Sequence, residues 1–378
     1  MSASSSYVWI DTPDALADAA ARLARAPAIA VDTEADSFYH YFHKCCLIQI
    51  SDGETVYLID SLALRQPAAL GPVFASASIE KVLHAAEQDV LYLRSDFGLE
   101  PLPIFDTMIA AQLLGKRSIG LAALLSGAFG VTLDKGCQRD DWSRRPLTDR
   151  QKTYAASDVR DLIRLRHILD AELQASGRSE WAREEFEVVA RRCREPRAFD
   201  PEEFWGIKGT RDLSPESAAA LRELYVMRDE RARAADLPPF RIVSDQTLLE
   251  LARRLPRGGS GLAGIKGFTP LVQRRIGAQV LSAVERALAM PESARPRPPR
   301  GQGRRRTAAF KTRVMRLRAW RQHQSEALGL DPGILFPQTT LEALASGGRA
   351  GLDDPDSVPG LRQWRRRLIL PEADRLLA

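Results

Sequence analysis

Asp32 and Glu34 stand two residues apart in Val31-Asp-Thr-Glu-Ala35, at the end of the apolar run Ala28-Ile-Ala-Val31. An extended chain alternates its faces, so both carboxylates project from one face, one pleat apart. Two such neighbours repel and raise each other's pKa unless a cation lies between them. Alone, the tripeptide also reads as a polar strand end. Asp89 follows the strand-like Lys81-Val-Leu-His84 after a short link and falls near the start of a helix, where the macrodipole favours an acid in any case. Tyr154 and Asp158 are four residues apart in a helical pattern beginning at about Thr148. That spacing puts phenol and carboxylate on one face, as it would in any amphipathic helix with a half-buried tyrosine.

The elements that must position these groups are legible as hydrophobic runs. Ala28–Asp32, Cys46–Ile50 and Thr55–Ile59 are short and apolar, and the last two flank the turn signal Asp52-Gly53. That pattern predicts an antiparallel hairpin. Ile79–His84 reads as a buried strand followed by a helix from about Glu87, and Thr107–Arg194 reads as almost entirely helical. Strands followed by helices predict an α/β or α+β domain with a mixed sheet. Beyond Glu195-Pro196 the pattern is helical, with breaks at Trp205-Gly-Ile-Lys-Gly209 and in the Pro/Gly-rich stretch 291–303.

An internal repeat runs through this helical half. Leu237-Pro-Pro239 returns as Leu330-Asp-Pro332, a shift of 93 (330 − 237). At the same shift Thr247–Ala252 meets Thr340–Ala345, Gly267 meets Gly360, and Arg274 meets Arg367. One ungapped offset across all these matches predicts two copies of a small helical domain.

Composition sets the outer bounds. With 44% hydrophobic and 27% charged residues the chain is of the globular kind, and no apolar run approaches a membrane span. The N-terminus shows no secretory signal, and Cys45, Cys46, Cys137 and Cys193 have no CxxC spacing. These features predict reduced thiols in a cytoplasmic protein without a zinc site. The net charge of +5 conceals a division: residues 1–190 hold 19 Lys/Arg against 27 Asp/Glu, and the remainder 35 against 22. Residues 293–325 contain eleven Lys/Arg and no acid, including Arg304-Arg305-Arg306 and the helical Lys311, Arg313, Arg316, Arg318 and Arg321. A basic run is often a solvated face, and it is also suited to contacting phosphates.

Asp32-Thr-Glu34, His84-Ala-Ala-Glu-Gln-Asp89 and Tyr154-x-x-x-Asp158 resemble, in order and spacing, the three motifs of the DEDD exonuclease superfamily, with tyrosine marking the DEDDy branch. The intervening Phe105-Asp-Thr107, Ala110–Gly115, Lys135-x-x-Gln138, Asp141-Trp142 and Arg145-Pro-Leu147 are similar to the ribonuclease D family, and the repeated module resembles HRDC domains. Asp140 departs from the small hydroxyl residue common before the Asp-Trp pair. The resemblance implies a ribonuclease H-like α/β exonuclease domain over 1–195 with a mixed sheet and an all-α HRDC domain over 210–290. It further implies a basic linker over 291–307 and a divergent second HRDC-like domain over 308–378. It implies that Asp32, Glu34, Asp89 and Asp158 hold two divalent cations, Mg²⁺ or Mn²⁺, and that Tyr154 orients the attacking water. The implied substrate is RNA with a free 3′ end, such as a transfer RNA precursor, degraded to nucleoside 5′-monophosphates. A DNA 3′→5′ exonuclease of the same superfamily, or a non-catalytic nucleic-acid scaffold, are the alternatives.

Expected nucleic-acid contacts are Thr33, Lys135, Gln138, Trp142 and Arg304–Arg306. The loop bearing Tyr39, His40, Tyr41, Phe42 and His43 is suited either to stacking on unpaired bases or to ordinary packing. His84 reads as a hydrogen-bonding strand end rather than a base.

Overall fold

The computed structural model describes residues 7–134, 136–192, 199–298, 307–354 and 357–378. Six strands form one mixed sheet: β1 (Val8–Ile10), β2 (Ala28–Ala35), β3 (Cys45–Ser51), β4 (Val56–Ile59), β5 (Glu80–Leu83) and β6 (Ile104–Asp106). Their order is β1-β4-β3-β2-β5-β6. The hairpin expected around Asp52-Gly53 is present: β3 and β4 pair antiparallel, and Gly53 takes the positive φ of +95° that the turn requires. β2 lies between an antiparallel β3 and a parallel β5, which makes it a central strand with both edges paired. The three-residue strands β1 and β6 at the edges were not foreseen from the sequence. Each pairs in parallel, β1 with β4 and β6 with β5.

Helices cover the sheet: α1 (Pro13–Leu23), α2 (Glu87–Phe97), α3 (Thr107–Leu113), α4 (Asp149–Arg160), α5 (Leu162–Ala175) and α6 (Ser179–Ala190). The expected start of α4 is met at Thr148, whose hydroxyl accepts from Gln151 N–H while Gln151 reaches back, a reciprocal capping box. α4 lies across β2, β3 and β4. The span 107–194 is less helical than its pattern predicted, because most of 130–147 is turns and irregular chain.

The repeated region is helical as expected, and the repeat extends to hydrogen bonds. The first copy comprises α7 (Pro215–Ala235), α8 (Pro239–Ile242), α9 (Asp245–Arg254) and α10 (Pro270–Ala289). In the second, α11 (Ala308–Leu328), α12 (Pro332–Leu335), α13 (Gln338–Gly347) and α14 (Gln363–Ile369) each begin 93 positions later. Thr247 Oγ1 donates to Lys266 O at 3.0 Å, and Thr340 Oγ1 donates to Pro359 O at 2.7 Å. The glycine that follows each carbonyl has positive φ, +80° at Gly267 and +75° at Gly360, and an added Cβ would strike the threonine hydroxyl. Arg228 donates to Val243 O and Arg321 to Phe336 O, again at equivalent places.

The compact units do not follow the sequence boundaries 1–195 and 308–378. One unit joins 1–35, 45–195 and 304–378; the other joins 36–44 with 196–303. The second helical copy therefore shares the core of the sheet domain, whereas the first has a separate core around Leu221, Leu248 and Val280. Among the described residues no helix is long and apolar enough to cross a membrane.

Candidate active site

The end of β2, the first turn of α2 and the middle of α4 supply the expected side chains. Asp32, Glu34 and Asp158 can each offer a carboxylate oxygen such that all three lie within 4.8 Å of one another. With Tyr154 they line a cavity of about 430 Å³, whose wall also includes Thr33, His84 and Gln138. Asp89 stands outside the tight trio, 7% exposed, and Thr33 Oγ1 donates to its Oδ1 at 2.5 Å. The Thr33 hydroxyl, expected to touch nucleic acid, is thus committed to orienting an acid.

Burial and mutual repulsion dominate the electrostatics. Burial pushes Asp32 up to about 7, against a lowering by the Thr33 backbone N–H. Burial, then the charge of Asp32, push Asp158 up to about 8, while a hydrogen bond from Tyr154 opposes the shift. Glu34 is raised well above the usual carboxylate range by burial and then by Asp32, Asp158, Asp89 and Asp140. Asp89 is raised likewise by burial and Asp32. Four acids, two buried and two half-buried, that resist ionising together would be stabilised by divalent cations, and all-oxygen donors suit hard ions. The donor set fits such a centre.

Tyr154 is held as a neutral phenol, its pKa pushed up by burial and then by Asp158, Glu34 and Asp32. Trp142 is where the sequence reading needs correction. It is 1% exposed and its ring lies 6.0 Å from that of Tyr154, so it packs behind the phenol and offers no face to a base. The cause is a bridge to a distant strand: Arg145 Nη1 holds the Trp142 carbonyl at 2.8 Å while Nη2 holds Cys46 O at 2.7 Å, drawing the segment against β3. Lys135 and Arg304–Arg306, also expected at the substrate, lie outside the described residues, as does Cys193. Cys45, Cys46 and Cys137 are buried thiols outside any disulfide.

His84 behaves as a strand-end hydrogen-bonding group. Thr107 Oγ1 donates its one proton to Leu83 O, so it accepts from His84 Nδ1–H at 2.9 Å. Burial lowers the imidazole pKa to about 4, leaving a neutral ring. The aromatic loop after β2 resolves toward packing. Tyr41 donates to Asp229, His40 pairs with Asp236 at 2.8 Å, and Arg241 covers the Tyr39 ring, all within the unit of the first helical copy. In the basic helix α11, Arg313, Arg316 and Arg321 donate to backbone carbonyls of their own module, while Lys311 and Arg318 are exposed.

Similarity to known proteins agrees with this geometry. A 3′-5′ exonuclease family model matches residues 7–174, and an HRDC domain model matches residues 217–284. Sheet, acidic cluster and these matches together define a metal-dependent 3′→5′ exonuclease of the DEDD superfamily. Ribonuclease D of Pseudomonas paraeruginosa is 33% identical over 368 residues, spanning 95% of this chain and 94% of its own. Ribonuclease D of Escherichia coli is 37% identical over 294 residues, 77% of this chain and 78% of its own. The crystal structure of Escherichia coli RNase D, described as an exoribonuclease involved in structured RNA processing, superposes with a TM-score of 0.75 at 30% identity and covers 98% of both chains. This chain belongs to the ribonuclease D family and is a hydrolytic 3′→5′ exoribonuclease.

Proposed function

We propose that this exoribonuclease trims the 3′ ends of structured RNAs in the cytoplasm, transfer RNA precursors among them, and releases nucleoside 5′-monophosphates. Its ligands for two divalent cations, Mg²⁺ or Mn²⁺, are Asp32, Glu34, Asp89 and Asp158. The observation that carries this reading is the convergence of three carboxylates and a phenol on one wall of a single cavity. Bound between these acids, a cation pair supplies the charge that activates water and steadies the leaving oxygen.

The chain's own groups do the positioning. The Tyr154 hydroxyl donates a hydrogen bond to Asp158, which leaves its oxygen lone pair to accept from the attacking water. With its pKa pushed upward the phenol orients that water and does not deprotonate it. Asp89, fixed by Thr33, completes the acid set. Gln138 on the cavity wall, with Lys135 and Arg304–Arg306, is assigned to the RNA backbone. The helices 308–378 are assigned as a divergent second HRDC-like copy, on the strength of the matched threonine, glycine and arginine bonds.

The test is digestion of a 3′-extended transfer RNA and of matched RNA and DNA strands with added Mg²⁺ or Mn²⁺. Asp32→Ala and Asp158→Ala should each lose more than about a hundredfold in rate, beyond the usual cost of an outer-shell metal partner. Near-full activity in both variants, or equal digestion of the DNA strand, would reject the assignment.

A further inference from the structure

Gln49 lies in the middle of β3, directly opposite Asp32 on β2 and Leu58 on β4. Residues facing each other across an antiparallel ladder share a face, with Cβ atoms about 4.5–5.5 Å apart. Gln49 and Asp32 therefore look to the same side of the sheet. That side is covered by α4, which brings Tyr154 and Asp158 down onto Asp32 and Glu34. Gln49 is 0% exposed, and neither its amide nitrogen nor its carbonyl oxygen has a hydrogen-bond partner.

A buried primary amide without partners is unfavourable, and a leucine of similar size would carry no such cost. Leu47 and Leu58, its neighbours on the same face, are the apolar choice at flanking positions. The amide therefore needs a reason beyond packing. Asp32 supplies one. The donor that reaches its carboxylate is the Thr33 backbone N–H, and a carboxylate has several acceptor sites. Ligating carboxylates are themselves held by hydrogen bonds that fix which oxygen faces the cation.

We infer that Gln49 is a positioning residue for the metal-binding acids, its Nε2–H donating to the Asp32 oxygen turned away from the cation. This rests on the reading that Asp32 ligates a divalent cation. When Asp32 binds through one oxygen, the amide holds the other and restrains the carboxylate from rotating. Gln49 touches neither substrate nor the attacking water, and acts through Asp32.

The experiment compares wild type with Gln49→Leu and Gln49→Met. Thermal unfolding is followed in chelator, and Mn²⁺ binding is followed by calorimetry on the full chain. The inference expects both variants to be at least as stable as wild type without metal, because an unpartnered amide has been removed. It expects Mn²⁺ affinity to fall about 10- to 100-fold, the range for outer-shell partners, with hydrolysis partly restored at high Mn²⁺. Unchanged Mn²⁺ affinity in either stable variant would overturn it. Loss of metal-free stability in both would also overturn it, since that result assigns the amide a structural bond in the resting protein. Failure of wild type itself to bind Mn²⁺ would instead remove the metal assignment beneath it.

Discussion

Helices α7 and α11 are both 21 residues long and begin the two copies of one helical module, yet the copies are anchored differently. What they share is internal: the threonine-to-carbonyl bond, the following left-handed glycine, and the arginine that closes on the α8 or α12 end. What differs is the start of the last helix. The first copy places Leu271 there, 49% exposed. The second places Trp364, 1% exposed, stacked at 4.6 Å on Trp181 of α6 with its indole N–H on Glu185. Next to it Arg365 is buried, satisfied by Glu185 and by the carbonyls of Ile334, Leu335 and Gly360. Arg178 donates to Leu113 O and Leu328 O together, and Gly115 leaves no room for a Cβ beside Gly329. Backbone-fixing bonds preserve a fold through divergence, while a few surface positions decide what it becomes part of.

The largest effect that can break this comparison is at the matched pair Trp364 and Leu271. Trp364→Ala should destabilise the nuclease by about 3–5 kcal/mol, the cost of emptying a buried aromatic site. Leu271→Ala, on an exposed face, should stay within about 0.5 kcal/mol. Denaturant unfolding followed by residual hydrolysis of a short oligonucleotide would measure both. Comparable losses would show that the two copies are anchored alike.

A second pair separates place from size. Leu248 and Leu341 are equivalent and both 0% exposed, so either alanine should cost about 2–5 kcal/mol locally. Hydrogen exchange should then diverge: Leu248→Ala loosens amides of 215–289 and spares β2, whereas Leu341→Ala reaches α6. Loosening of β2 by Leu248→Ala would contradict the separate cores.

Much of this was readable beforehand, for physical reasons. The β2, β3, β4 and β5 runs are central and apolar, so burial marked them; β1 and β6, three residues each, are too short to show a period. Asp32 with Glu34, and Tyr154 with Asp158, were legible as pairs because strand and helix spacing fix their faces locally; that the two pairs share one cavity is a tertiary fact. Trp142 was misread because its burial comes from Arg145 bridging to β3, a contact between residues 99 positions apart. The docking of loop 36–44 onto α7 spans nearly 200 positions and left no local pattern. The same holds for the joining of the second copy to α6, since Trp364 in a basic helix carries no mark of its partner.

Acid titration offers a smaller test that only the sheet domain should register. Asp32 and Asp158 have native pKa values raised to about 7 and about 8 against ordinary values near 3.8. The folded state thus holds more protons than the unfolded, and stability without metal should fall as pH rises through these values. His84, lowered to about 4, acts oppositely below about 6.5, so the clean window is pH 6.5–8. Metal-free unfolding of the sheet domain should weaken across it, less so in Asp32→Asn, while the first helical copy stays flat. A stability that rises with pH there in chelator would contradict the assigned shifts.

The smallest expected effect concerns RNA and sharpens the contrast between the equivalent helices. α7 carries four basic and four acidic residues, whereas α11 carries five basic and one acidic. In α11, Arg313, Arg316 and Arg321 are occupied by module carbonyls, and Lys311 and Arg318, seven residues apart, stand exposed where a phosphate could reach them. Each phosphate contact releases counterions and adds about 0.7 to the salt slope of single-strand binding. In an Asp32→Ala background, which prevents digestion from blurring the titration, Lys311→Gln with Arg318→Gln should flatten the slope by about 1.4. Arg222→Gln on α7 should leave it unchanged, because Arg222 is paired with Glu202 at 2.6 Å. A slope insensitive to the α11 pair would make that helix a solvated face. An equal flattening by Arg222→Gln would erase the functional difference between the copies and leave only the difference in anchoring.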